Sequence, residues 1–292
     1  MKALTTLLVF VLVNGAFAQQ YTFRVLVNKG QNEIRSSGNW TPVKIGAALQ
    51  PQDAIRVSPN GYLGLVHVTG KPLEVKESGQ YAIVDLAAKI EKGPSVLSKY
   101  TDFILSKETE TPTNLTATGA VYRGTDDLIV FLPEARKAIF LTDAVNITWS
   151  SVGAARGYVI RFSSMFGELL HEVETADTTA VVNLNAGKFR EEDNIIVEVV
   201  VANQPGKRSE PSMIKKVSPA DRKRINAGLQ EVEAETTEES ALSAFIRGAF
   251  FEEHGLLIDA GSAYRRAAEL EPDVPQYRDA YLTFLQRQAL QN

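Results

Sequence analysis

Carboxylates are the side chains of this sequence whose clustering could do chemistry. Glu191-Glu192-Asp193 stand together, and a second acidic run extends from Glu231 to Glu239. Two carboxyl groups held roughly 5–9 Å apart can cleave a glycosidic bond. A run of like charges by itself marks solvated surface, and that is the reading of both clusters. The chain has no cysteine, which removes thiolate nucleophiles, disulfides and cysteine metal sites together. Its histidines, His67, His171 and His254, are too scattered to suggest a metal cluster. No Gly-x-Ser-x-Gly elbow, phosphate-binding loop or His-Glu-x-x-His stretch occurs. The expectation is a non-enzyme, with no catalytic residue, no metal ligand and no cofactor.

Two tryptophans could instead stack on sugar rings, but Trp40 and Trp149 read first as core residues because an indole buries so much area. A net charge of −4 and a pI near 5.6 argue against a nucleic-acid partner. Arg222-Lys223-Arg224 is too brief a basic run to anchor a membrane. Asn39, Asn114 and Asn146 match the Asn-x-Ser/Thr pattern, read here as coincidence.

The elements that would position these residues begin after a leader. Lys2 supplies a positive start, Leu7–Val13 an apolar stretch, and Ala16-Phe17-Ala18 a small-x-small cleavage site. Residues 1–18 therefore predict an export signal cleaved after Ala18. No later stretch is long and apolar enough to predict a transmembrane segment.

Residues 19–94 have β texture: Phe23, Val25 and Val27 alternate with polar neighbours, and Gly and Pro punctuate the runs that follow. A first hairpin, Trp40, Gly46, Leu49 and the Asp53-x-Ile55 step resemble the FecR-type periplasmic domain. That resemblance implies a Gram-negative bacterial source and a place in the periplasm or outer cell envelope. Residues 95–118 predict a short helix, with Leu97, Tyr100 and Ile104 on one side, and then a polar linker broken by Pro112.

β texture returns over 119–217, with short strands at the spacing of an antiparallel sandwich. Trp149 on an early strand, Gly157-Tyr158 opening the next, and Ser209-Glu210-Pro211-Ser212 before the last resemble a fibronectin type III or related immunoglobulin-like module. From 218 to 292 the period becomes helical. Ser218-Pro219 reads as a cap and first turn, and Thr236 with Glu239 as a capping box for the next helix. Leu242, Phe245, Ile246 and Ala249 form its stripe. Gly248, Phe251, Ala260, Tyr264, Ala267 and Pro272 lie at the intervals of a tetratricopeptide repeat, which they resemble. A solitary repeat cannot bury its own face. Leu242, Phe245 and Ile246 are thus the candidate partner-binding residues.

The order of segments is leader, FecR-like β domain, fibronectin-like sandwich and tetratricopeptide-like helices. The expected function is an exported adaptor or scaffold that binds envelope proteins, with a glycan-binding envelope module as the alternative.

Overall fold

The computed structural model describes residues 21–90, 93, 95–110, 127–134, 138–236 and 239–289. The expected leader, the linker's polar half and Asn114 lie outside the described residues. What is described is a mixed β and α chain: several antiparallel sheets followed by a helical C-terminal stretch.

The first β unit comprises β1 (Phe23–Lys29), β2 (Glu33–Arg35), β3 (Trp40–Pro42), β4 (Ala48–Leu49), β5 (Ala54–Val57), β6 (Tyr62–His67), β7 (Pro72–Val75) and β8 (Gly79–Ala82). Among the described residues these strands form two four-stranded sheets, ordered β4-β1-β6-β7 and β3-β2-β5-β8. Phe23, Val25, Leu49, Ile55, Leu63 and Leu65 fill the core they share, closed by Ile83 and Leu86 of α1 (Ile83–Ala88). The first sheet is buried on its other side as well. A bulge in β1 between Val25 and Val27 turns Leu26 and Val27 away from this core, and on β6 Tyr62 and Val66 point the same way. They meet α2 (Ser98–Glu110), whose Tyr100 and Ile104, with Leu97 just before the helix, form the expected stripe.

The second β unit contains β9 (Ile139–Phe140), β10 (Ala144–Thr148), β11 (Tyr158–Ser164), β12 (Leu169–Thr175), β13 (Thr179–Asn183), β14 (Asn194–Val201), β15 (Gln204–Arg208) and β16 (Ser212–Lys216). The larger sheet runs β12-β11-β14-β16-β9, with β15 also on β14, and the smaller pairs β10 with β13. Neighbours are antiparallel except β9 and β16, which are parallel. The sheets face each other across one apolar core that contains Trp149, Phe162, Ile147, Val182 and Val197. Trp149 is 1% exposed and packs edge-on against Tyr158. Trp40 is different. It lies half-buried on the outer face of the β3-β2-β5-β8 sheet, beneath the guanidinium groups of Arg35 and Arg56, 5.0 and 4.1 Å from the ring centre.

The chain ends in α3 (Pro219–Glu235), α4 (Ala241–Glu253), α5 (Leu257–Leu270) and α6 (Pro275–Ala289). Ser218 caps α3 by accepting from Asp221 N at 3.2 Å, with Pro219 in the first turn. The cap of α4 is Ser240, which accepts from Ser243 N at 3.1 Å, and not the Thr236–Glu239 pair expected from spacing. Buried residues occur all around α4, as they must on a helix enclosed by neighbours. Its apolar cluster takes in residues of α2, α3, α5, α6 and both β units, from Leu26 and Tyr62 to Leu141 and Val217. Among the described residues no helix is long and apolar enough to cross a membrane.

Candidate interaction surface

The residues expected to await a partner are covered by the chain itself. Leu242 and Ile246 are fully buried and Phe245 nearly so. Leu242 packs on the backbone of β6 at Gly64, where a Cβ would come within 3.3 Å of its side chain and 3.1 Å of Val27. Phe245 meets Tyr264 and Tyr277 at ring distances of 5.6 and 5.4 Å. Contact through these three residues would first require the helices to leave the first β unit, so they are a seam and not a free surface. The signal in the sequence was real, an apolar face larger than one helical neighbour covers. Its occupant is the second face of a sheet about which helical periodicity says nothing.

The residues read as repeat packing do meet. α4 and α5 cross so closely at Gly248 that a Cβ there would fall 2.5 Å from the ring of Tyr264. Phe251, Ala260, Tyr264 and Ala267 are buried in the same cluster, while Pro272 is exposed in the turn before α6.

Polar groups tie this helical block to both β units. On the first, Glu74 accepts from Leu242 N at 2.8 Å, at the start of α4, and from Lys76 at 2.9 Å. Burial pushes the Glu74 carboxyl up, but the hydrogen bonds from Leu242 N and Lys76 prevail and hold it below the ordinary range. Lys76 also reaches Glu271 at 2.5 Å, and Gln276 donates to Asn28 O. On the second, Asp259 of α5 is buried and accepts from Leu141 N, Thr142 N and the Thr142 hydroxyl at 2.8, 2.8 and 2.5 Å. Desolvation nevertheless pushes its pKa up to about 6. Asn146 donates its backbone N–H to Ser262 Oγ and accepts from Arg265 through its side chain. Thr148 meets Tyr281 at 3.0 Å. Sequence reading missed Glu74 and Asp259, since lone acids in apolar runs were the only trace they left.

The Asp259 carboxylate faces inward, and Glu191 and Asp193 are exposed. Glu235 at the end of α3 bonds Ser95 and Val96 N. Among the described residues no group of acids and histidines is placed to hold a metal ion. A cavity of about 20 Å³ between the second β unit and α5–α6, lined by Thr148, Ile258, Tyr281, Phe284 and Gln288, has room for one water molecule.

The conspicuous open feature is the β11–β12 hairpin. Phe166 at its tip is 98% exposed, with Met165 at 59% and Leu169 at 48% beside it. The tip is tied in place. Buried Ser164 accepts through its Oγ from Phe166 N and Glu168 N, both at 3.2 Å, and its own N–H donates to Glu168 O at 2.9 Å. Gly167 takes the left-handed conformation the turn needs (φ +83°). Lys188 braces the outside through Glu168 and Leu169 O at 2.7 and 3.3 Å. Underneath, Phe189 packs edge-on against Phe162 at 5.5 Å. An apolar pair held out by a hydrogen-bonded turn is a preorganised contact, because little freedom remains to be lost on binding. By sequence alone, Met165-Phe166-Gly167-Glu168 reads only as a turn between two strands.

No family model matches the chain, and no curated protein matches it.

Proposed function

We propose that this chain is an exported, non-enzymatic adaptor of the bacterial cell envelope that binds other proteins. In this reading the first β unit is FecR-like, the second is a fibronectin type III-like sandwich, and the helices are a tetratricopeptide-like segment. The helices serve as an internal clamp that sets one β unit against the other, and the sandwich presents the contact. The observation that carries the reading is Phe166, almost wholly exposed at the end of a turn fixed by Ser164 and Gly167. Aromatic residues and Met are enriched at protein interfaces, and Phe166 stands with exposed Met165 and Leu169 beside it. The glycan reading is weakened by Trp40, whose ring is already engaged by two arginines.

The test is a photo-crosslinking amino acid placed at position 166, and separately at exposed Val84, in the native envelope. Discrete protein adducts from position 166 and none from 84 are expected. Equal adducts, or none at 166, would refute the proposal. Export is tested by mass spectrometry of the native protein, which should begin at Gln19.

A further inference from the structure

Beside the apolar tip, β12 closes one end of the larger sheet. It pairs with β11 on one side, and among the described residues no strand pairs with it on the other. From His171 to Thr175 its register against β11 is uninterrupted, and the one irregularity lies next to the tip, between Phe162 and Ser163. An edge of this kind presents a row of main-chain donors and acceptors to any extended chain that can approach it. The strand reads Leu-Leu-His-Glu-Val-Glu-Thr, without proline or lysine; at its tip end Lys188 engages the Leu169 carbonyl and Phe189 packs edge-on against His171.

Two further observations say what would fit. On the core side, Leu170 and Val173 pack against the sandwich core but remain only partly buried, so the core is left incompletely covered along this edge. Apolar residues of an added strand would complete that burial. On the outer side, Glu172 and Glu174 are exposed, opposite Arg161 and Val159 of β11. Arg161 pairs with Glu172 at 2.7 Å. Glu168 adds a third carboxylate at the turn, bonded to Lys188.

Resting on the adaptor reading, we infer that β12 receives an extended basic segment of a partner protein as an added strand, its lysines or arginines over Glu172 and Glu174 and its apolar end against Met165, Phe166 and Leu169. Main-chain pairing supplies affinity in this mode, and alternate side chains supply selection. A second copy of this chain does not satisfy the site. Antiparallel self-pairing of β12 would bring Glu172 against Glu172 or against Glu174, and like charges directly opposite are unfavourable. An anionic lipid surface is opposed by the same carboxylates.

The test uses the full chain and three short capped peptides: one alternating lysine and valine, its glutamate counterpart, and the lysine peptide with alternate amides methylated. Binding is measured by fluorescence anisotropy, and pairing by amide hydrogen exchange. The lysine peptide should bind and slow exchange within His171–Thr175. The glutamate peptide should bind at least about tenfold more weakly, and so should the methylated peptide, which lacks the donors that pairing needs. Glu172→Lys with Glu174→Lys should reverse the preference between the two charged peptides. Failure of the lysine peptide to bind, binding without protection of β12, or unchanged binding by the methylated peptide would each overturn the inference. Crosslinking at position 166 separates the two levels: adducts there without peptide pairing defeat only the added strand, whereas absence of adducts defeats the adaptor reading itself.

Discussion

The hydroxyls of Tyr62 and Tyr277 lie 2.7 Å apart across 215 positions of sequence, joining β6 of the first β unit to the last helix. Both rings are buried, and they meet edge-on at 6.0 Å. Burial pushes both phenols far above their ordinary range, so the pair stays neutral. Tyr277→Phe should lower stability by about 0.5–1.5 kcal/mol in chemical denaturation, since it removes one buried hydrogen bond and leaves the Tyr62 hydroxyl to Glu74. Tyr62→Phe combined with Tyr277→Phe should cost less than the two singles summed. Strict additivity would mean that the bond contributes nothing.

Leu242→Ala should destabilise the protein by about 2–5 kcal/mol, because Leu242 fills the space over Gly64 and the seam cannot collapse around the loss. Crosslinking from position 166 should persist in the fraction that stays folded. Lost adducts from a fully folded Leu242→Ala variant would return this helix face to the partner interface.

Much of the architecture could be read from pattern, and the failures share a cause. Alternation at Phe23, Val25 and Val27 marks a strand, and the Leu97, Tyr100, Ile104 spacing marks a helix whose stripe is buried as expected. Trp149 sits in a core, as its size suggests. Trp40 does not, because residue type fixes how much area would like to be buried and not which face of a sheet carries it. The run Tyr62-Leu-Gly-Leu-Val66 held more than was taken from it. Five consecutive buried positions indicate a strand covered on both faces. That pattern says the outer side of the strand is covered; only the structure shows that Leu242 covers it at Gly64. The interaction surface was the least legible part, since the turn chemistry that exposes Phe166 depends on a hydroxyl at Ser164 and a glycine conformation, not on hydrophobic period.

Asp259 gives a pH dependence with a definite sign. Its folded pKa, about 6, lies above the ordinary 3.8, so its contribution is present in full below 3.8 and is lost as pH rises through 6. Unfolding free energy should therefore increase by about 1.4 kcal/mol from pH 7.5 to pH 5 through this group. In Asp259→Asn this component should be absent from the difference between the two pH values. A wild-type profile that parallels the variant would contradict the assignment.

Gly248→Ala should cost about 1–3 kcal/mol, because the new methyl meets the ring of Tyr264 and that ring is itself buried. Differential scanning calorimetry would show it as a lower Tm. Pairing the change with Tyr264→Leu, which makes room, should recover part of the loss.

A protease site inserted between Glu110 and Asp127 should yield two pieces that stay together on native gel filtration. The apolar cluster crosses that point, with Leu26, Tyr62 and Tyr100 on one side and Val217, Leu242 and Tyr277 on the other. Pieces that separate and remain folded would show the β units to be independent.

The sheet buried on both faces has a consequence for how the molecule is made. A ribosome delivers β1, β6 and α2 well before α4–α6, so the part of that sheet's outer side that α2 leaves uncovered stays bare until those helices emerge. Early halves of the chain can pair their strands and seat α2, but they lack the late side chains, Leu242 and Tyr277 among them, that complete this burial. Any product that stops short of Tyr277 carries this apolar side into the open, where chaperones and proteases act. The late helices thereby work as a proofreading mark: only a chain translated past Tyr277 can finish hiding a sheet made long before.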